Sequence, residues 1–133
     1  MSRLTIYLGR LIGLFLLIAA LSMLTDRDSI IEMASALLDD RALLVIVGLI
    51  ALGIGLAIVI GHNVWSGGLF PIVVTLFGWS QLLRGLALLL LPAETQVAFF
   101  QVMRLEDFYY VYAGVPLVIG AYLTYAGFSH KFP

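Results

Sequence analysis

The stretch ALLVIVGLIALGIGLAIVI, residues 42–60, decides the fold class of this chain. Every residue in it is Ala, Val, Leu, Ile or Gly, and its length is close to the run of about 20 apolar residues that a helix needs to cross a bilayer. Apolar and polar side chains do not alternate along it, as they would in a strand of a transmembrane barrel. The stretch therefore predicts a transmembrane α-helix.

Three further apolar runs of similar length cover residues 4–24, 69–91 and 108–128. At about 1.5 Å per residue, each is roughly 30 Å long as a helix, which is enough to cross the hydrocarbon core. Hydrophobic residues make up 62% of the chain, and its mean hydropathy is +1.10. The sequence predicts an all-α membrane protein, residues 1–133, with four transmembrane helices in a single domain.

Two connections between the predicted spans have the pattern of short amphipathic helices lying at the membrane interface. In residues 29–40, Ser29 and Glu32 match the capping box that starts a helix. The apolar face of this segment consists of Ile30, Ile31, Ala34, Leu37 and Leu38. The second segment covers residues 93–106, and Pro92, which directly precedes it, suits a first helical turn. The order of span, surface helix and span thus occurs twice, which is compatible with a tandem two-span repeat.

The charged residues are distributed unequally between the two sides of the predicted bundle. All eight acidic residues fall in the two longer connections, Thr25–Arg41 and Pro92–Asp107, whereas the termini and the short loop Gly61–Gly68 carry none. Lys and Arg are equally frequent on the two sides, so Arg3 and Arg10 at the first helix decide the orientation under the positive-inside rule. We expect the inner membrane of a bacterium, with both termini in the cytoplasm.

Arg84 is a charged residue well inside a predicted span. It lies seven positions before the end of the third span, or roughly 10 Å inside it. An arginine inside a span costs about 2.5–3.5 kcal/mol on insertion scales, so its charge needs a partner. Ser80 and Gln81 lie one turn earlier on the same side of the helix. These three residues, together with Tyr112 of the fourth span, predict a polar patch within the membrane.

Two interpretations of this patch are open. In the structural one, Arg84 reaches toward the nearer membrane surface and pairs with an acid or a tyrosine hydroxyl. The expected ion-pair partners are Glu106 and Asp107, which precede the fourth span at that surface, and the expected hydroxyl is that of Tyr112. In the functional one, Arg84 belongs to an anion or headgroup site, to a gating element or to the wall of a polar cavity.

A second candidate site lies in the short loop, where His62, Asn63 and Trp65 cluster. A histidine beside an asparagine is suited to binding a ligand or a partner. A turn anchored by an interfacial tryptophan accounts for the same residues equally well. Both interpretations are open at the level of the sequence.

The chain lacks the residues of the common catalytic and metal sites. It has no cysteine, its two histidines lie outside the predicted spans, and the motifs of hydrolases, zinc proteases and P-loop NTPases do not occur. We therefore expect no catalytic residue, no metal ligand and no cofactor. A net charge of −1 also offers no electrostatic footprint for nucleic acid.

The expected function is that of a non-catalytic accessory or scaffolding subunit. Its partners would be the lipid bilayer and other membrane-protein subunits or further copies of itself. Small residues at four-residue spacing, such as Gly53 with Ala57, allow the close helix contacts that such a role needs. One alternative is a small oligomeric channel or transporter built around Arg84. Another is a subunit that contributes a lipid or quinone pocket to a membrane complex.

Overall fold

The computed structural model describes residues 1–131, and these residues form six α-helices and no β-strand. The helices are α1 (Arg3–Thr25), α2 (Arg27–Leu38), α3 (Arg41–Gly61), α4 (Leu69–Leu90), α5 (Ala93–Met103) and α6 (Tyr109–Ser129). Four of them, α1, α3, α4 and α6, are long and apolar enough to cross a membrane. Their bounds differ from the predicted spans by at most one residue, whereas α5 ends three residues before its predicted end.

The surface helix α2 begins earlier than the capping-box pattern predicts. Its N-cap is Asp26, whose carboxylate accepts a hydrogen bond from the backbone N–H of Ser29 at 3.2 Å. Aspartate caps a helix as well as serine does, and Asp26 occupies the point at which α1 ends. The predicted box of Ser29 with Glu32 is therefore wrong. The next helix, α3, begins in the same way, with the Asp40 carboxylate accepting from a backbone N–H at 3.2 Å.

The long helices associate mainly as two antiparallel pairs, α1 with α6 and α3 with α4, and α1 also contacts α4. Glycines let the two backbones of each pair approach closely. A Cβ atom at Gly55 would collide with the backbone of Leu82, and a Cβ atom at Gly120 would collide with the backbone of Leu17. Packing between helices therefore requires glycine at these two positions.

The contacts within one helix pair recur in the other pair at a constant offset of 65 residues. Each contact residue of α1 corresponds to the residue of α4 that is 65 positions later, as 17 does to 82, and each contact residue of α3 corresponds in the same way to a residue of α6, as 55 does to 120. Gly55 meets Leu82 as Gly120 meets Leu17, and Gly78 meets Ile58 as Gly13 meets Leu123. The helix α1 thus lies against α6 as α4 lies against α3.

The bundle has two distinct sides. The side that carries α2 and α5, below called the α2/α5 side, holds all eight acidic residues. The opposite side, below called the termini side, holds the starts of α1 and α4 and the ends of α3 and α6. The buried core lies toward the termini side and consists of Ile12, Ile58, Phe70, Val74 and Leu123. On α2, all five residues of the predicted apolar face are half-buried, in contact with α3 and α5 among other neighbours.

Candidate functional site

A cleft of about 470 Å³ opens between α1, α3 and α4 on the outer surface of the bundle. Its walls are almost entirely apolar. The apolar walls include Leu8, Leu11 and Phe15 of α1, Ile54 and Ala57 of α3, and Phe77 of α4. The volume lies within the range of about 300–1,000 Å³ that is typical of small-molecule sites. The cleft is therefore large enough to hold part of a ligand or of a neighbouring chain.

Two polar side chains, Gln81 and Arg84, complete the lining of the cleft. They lie one turn apart on α4 and so share a face of that helix. Within residues 1–131, neither side chain forms a hydrogen bond or an ion pair with another residue. Arg84 is exposed and Gln81 is half-buried. The cleft thus contains a cation and an amide whose hydrogen-bonding capacity is unused.

The predicted ion pair of Arg84 with Glu106 or Asp107 is not formed. The salt bridge seen in the described part of the chain joins Arg27 to Asp28 at 3.6 Å, and both side chains are exposed. A guanidinium nitrogen of Arg27 also donates to the backbone oxygen of Glu106 at 2.7 Å. The reason lies in the packing: α4 lies mainly against α3, whereas the segment that carries the two acids leads into α6, which lies mainly against α1.

The other two residues of the predicted polar patch are engaged elsewhere. The hydroxyl of Tyr112 donates to the backbone oxygen of Met103 at 2.6 Å and so links α6 to α5. The hydroxyl of Ser80 donates to the backbone oxygen of Phe77, one turn earlier in its own helix, at 2.7 Å. Of the four residues predicted to form the patch, the structure brings only Gln81 and Arg84 together in the cleft.

Arg10 also lies within a long helix, but unlike Arg84 it has hydrogen-bond partners within the chain. Its Nε donates to the backbone oxygen of Gly127 at 2.8 Å, and its Nη2 donates to that of His130 at 2.7 Å. Its guanidinium also lies over the ring of Phe128, 4.8 Å from the ring centre. The last carbonyl groups of a helix have no partner within that helix, and Arg10 supplies donors to the end of α6.

The candidate loop site is divided by the structure into two separate sets of contacts. His62 is only 2% exposed and bridges two helices, with Nε2 lying 3.0 Å from the hydroxyl of Thr5 on α1 and Nδ1 lying 3.1 Å from that of Thr75 on α4. Burial lowers the pKa of the His62 imidazole, because the charged form loses its hydration. This arrangement joins α1, α3 and α4 at the termini side.

Asn63 belongs to the second set of contacts. Its side-chain oxygen accepts hydrogen bonds from the indole N–H groups of Trp65, at 2.8 Å, and of Trp79, at 3.3 Å. Trp79 was not among the predicted site residues. The signal that points to it is chemical: an indole N–H in an apolar helix needs an acceptor, and an asparagine at the helix end can supply one.

The two polar side chains of the cleft, Gln81 and Arg84, can donate hydrogen bonds to a ligand. A guanidinium and an amide donate hydrogen bonds, and neither is a typical proton acceptor. Within residues 1–131, no three His, Asp or Glu side chains come close enough together to hold a metal ion. Comparison of the chain with protein-family models, with curated proteins and with solved structures gives no match.

Proposed function

We propose that this chain is a non-catalytic integral membrane protein that binds another component of the bilayer in the cleft between α1, α3 and α4. The surface of the four long helices supports the membrane assignment. Large apolar side chains are exposed all around them, for example Ile60 of α3, Leu90 of α4 and Val118 of α6. Soluble monomers rarely expose apolar patches of more than a few hundred Å², so these faces are suited to lipid.

The observation that carries the binding role is the absence of a partner for Arg84 and Gln81 within the described chain. A charged side chain in a spanning helix costs about 2.5–3.5 kcal/mol on insertion scales. A partner from outside the chain would offset that cost. Because the remaining walls of the cleft are apolar, an acyl chain or an apolar helix suits the space better than an ion or a polar solute.

A role as accessory or scaffolding subunit is a second candidate, supported by the outer face of α3. Gly53 is exposed, and a Cβ atom there would meet open space. Ala57 lies four residues later on the same helix and lines the cleft. Small residues at this spacing allow a helix from another subunit to approach closely. The partner in this case is another membrane protein or a second copy of this chain.

Two further proposals concern the arrangement of the chain. The recurrence of helix contacts at an offset of 65 residues supports a tandem repeat of two spans and one surface helix.

We also propose that the protein resides in the inner membrane of a bacterium with both termini in the cytoplasm. Arg3 and Arg10 near the start of α1 support this orientation, since the first helix usually dominates the positive-inside rule.

Photo-crosslinking in native membranes tests the binding role. A photoreactive residue in place of Phe15 would lie in the cleft, and one in place of Val118 would lie on α6 outside it; the two positions are 60% and 69% exposed. We expect a discrete adduct from Phe15 that disappears when Ala57→Phe fills the cleft. Val118 should yield only a mixture of bulk lipids. Identical products at the two positions would exclude a specific site.

A further inference from the structure

We infer that the cleft holds an anionic phospholipid from the leaflet on the α2/α5 side, with its phosphate at Arg84 and Gln81 and one acyl chain along the apolar walls. The inference rests on the proposed binding role and specifies its ligand.

The cleft is polar at one end and apolar at the other. Arg84 lies six residues before the end of α4 at Leu90, which corresponds to about 9 Å from the α2/α5 side. Leu8 lies five residues after the start of α1, near the opposite, termini side. The cleft extends about 15 Å between the level of Arg84 and the level of Leu8. A lipid of the α2/α5-side leaflet has the same polarity, with its headgroup toward the surface and its acyl chain toward the bilayer centre.

The donor groups at the polar end match a phosphate. A guanidinium presents its N–H groups in a planar fork that pairs with two oxygens of one phosphate. The amide of Gln81, one turn earlier on the same face, adds donors beside it. Because the rest of the lining is apolar and the local dielectric constant is low, the attraction between the cation and an anion is stronger than in water.

Another copy of this chain is a poor source of the anion. All eight acidic residues lie outside the four long helices, so no carboxylate of a second copy lies at the depth of Arg84. The acids on the α2/α5 side also repel anionic lipids from the rest of that surface. An anionic headgroup is therefore expected at Arg84 rather than spread around the rim.

The packing of the helices does not require polar side chains at the positions of Gln81 and Arg84. Under the offset of 65 residues that relates the two helix pairs, Arg84 and Gln81 correspond to Ala19 and Leu16 of α1. The equivalent positions are thus built from apolar residues. Arg10, by contrast, is bonded to carbonyl groups at the end of α6. The chain therefore satisfies one helical arginine by itself and leaves the other available to a ligand.

Lipid retention by the purified protein tests the inference. The protein is stripped in neutral detergent, offered phosphatidylglycerol or phosphatidylcholine at equal concentration, and examined by native mass spectrometry for bound lipid. We expect one phosphatidylglycerol per chain, bound about tenfold more tightly than phosphatidylcholine. Phosphatidylglycerol should also raise the unfolding temperature, and inorganic phosphate alone should not, because it has no acyl chain for the apolar walls.

Matched variants separate the cleft from general attraction. Arg84→Leu removes the cation and Ala57→Phe fills the apolar part, and each should lower phosphatidylglycerol retention about tenfold. Arg41→Leu removes an exposed cation on the same side of the bundle, and Ala121→Phe adds a ring to the exposed face of α6. Both controls should retain the lipid as the unmodified protein does, and the unfolding temperature without lipid shows that every variant is folded.

Several outcomes would overturn the inference. Equal retention of the two lipids, or retention unaffected by Arg84→Leu, excludes the phosphate at Arg84. Stabilisation by inorganic phosphate as large as that by phosphatidylglycerol excludes the acyl chain. A discrete polypeptide adduct at Phe15 would show that a helix of another protein, and not a lipid, occupies the cleft. The cleft would then remain the binding site, but the lipid would be excluded as its ligand. The absence of any discrete adduct at Phe15 removes the proposed function itself.

Discussion

The Nε atom of Arg10 donates a hydrogen bond of 2.8 Å to the backbone oxygen of Gly127 and ties α1 to the end of α6. The positive charge lies at the end of a helix where the backbone dipole is negative, which is favourable. Arg84 lies in a long helix of the same bundle and has no such partner within residues 1–131. The two arginines therefore differ in role, and their substitution should have different effects.

Replacing Arg10 by leucine should destabilise the protein by about 1–3 kcal/mol, because the backbone oxygens of Gly127 and His130 at the end of α6 lose a charged hydrogen-bond donor. Arg84→Leu should be neutral or stabilising in lipid-free protein, because it removes an uncompensated charge from an apolar surface. Thermal unfolding in detergent, with both variants purified in parallel, measures the difference. Greater damage from Arg84→Leu than from Arg10→Leu would mean that Arg84 has a structural partner.

Glycine substitutions should separate internal from external helix faces. Gly55→Ala should cost about 1–3 kcal/mol, since the new Cβ collides with the backbone of Leu82 and the pair of α3 and α4 must separate. Gly53→Ala should be neutral or stabilise by up to about 1 kcal/mol, because the site is open and alanine favours a helix. Unfolding temperatures compare the two. Equal losses would contradict the assignment of Gly53 to the outer surface.

The stability of the protein should fall as the pH decreases through the ordinary pKa of histidine. Burial lowers the pKa of His62, so the folded state binds its proton less readily than the unfolded state does. The stabilisation is therefore fully present above about pH 6.5 and declines as the pH falls below it. Unfolding temperatures between about pH 5 and 8 measure this slope.

His62→Gln should flatten the pH dependence over that interval, whereas His130→Gln, which changes the only other histidine, should preserve it. The glutamine variant should also be less stable at neutral pH, by about 1–3 kcal/mol, because the hydroxyls of Thr5 and Thr75 lose a well-placed partner. An unchanged slope in His62→Gln would assign the pH dependence to other groups.

Single cysteines test the orientation, and the chain has no native cysteine to interfere. Ser2 and Ser66 lie on the termini side, whereas Ser35 and Thr95 lie in α2 and α5. In intact bacterial cells, an impermeant thiol reagent should label Ser35→Cys and Thr95→Cys and spare Ser2→Cys and Ser66→Cys until the cells are permeabilised. Labelling of Ser2→Cys and Ser35→Cys from the same side would exclude the four-span arrangement.

Local features of the sequence were sufficient for the helices. Hydrophobic length predicts the four long helices, and periodicity predicts which face of α2 is half-buried, because both depend on residues within one segment. The N-cap of α2 cannot be read from the segment itself, because Asp26 and Ser29 are both good capping residues. The choice between them depends on where α1 ends, which the sequence pattern of α2 does not contain.

The sequence by itself determined that the chain forms four apolar helices with two polar-faced segments between them and that every acid lies on one side. The tertiary structure alone decided that α4 pairs with α3 and α6 with α1, because pairing depends on how small residues in distant segments fit one another. That choice separates Arg84 from Glu106 and Asp107 and leaves it with Gln81 beside a cleft. The tertiary structure also buries His62 between Thr5 and Thr75. The sequence alone does not indicate this contact, because the two threonines belong to helices that are far apart in the chain.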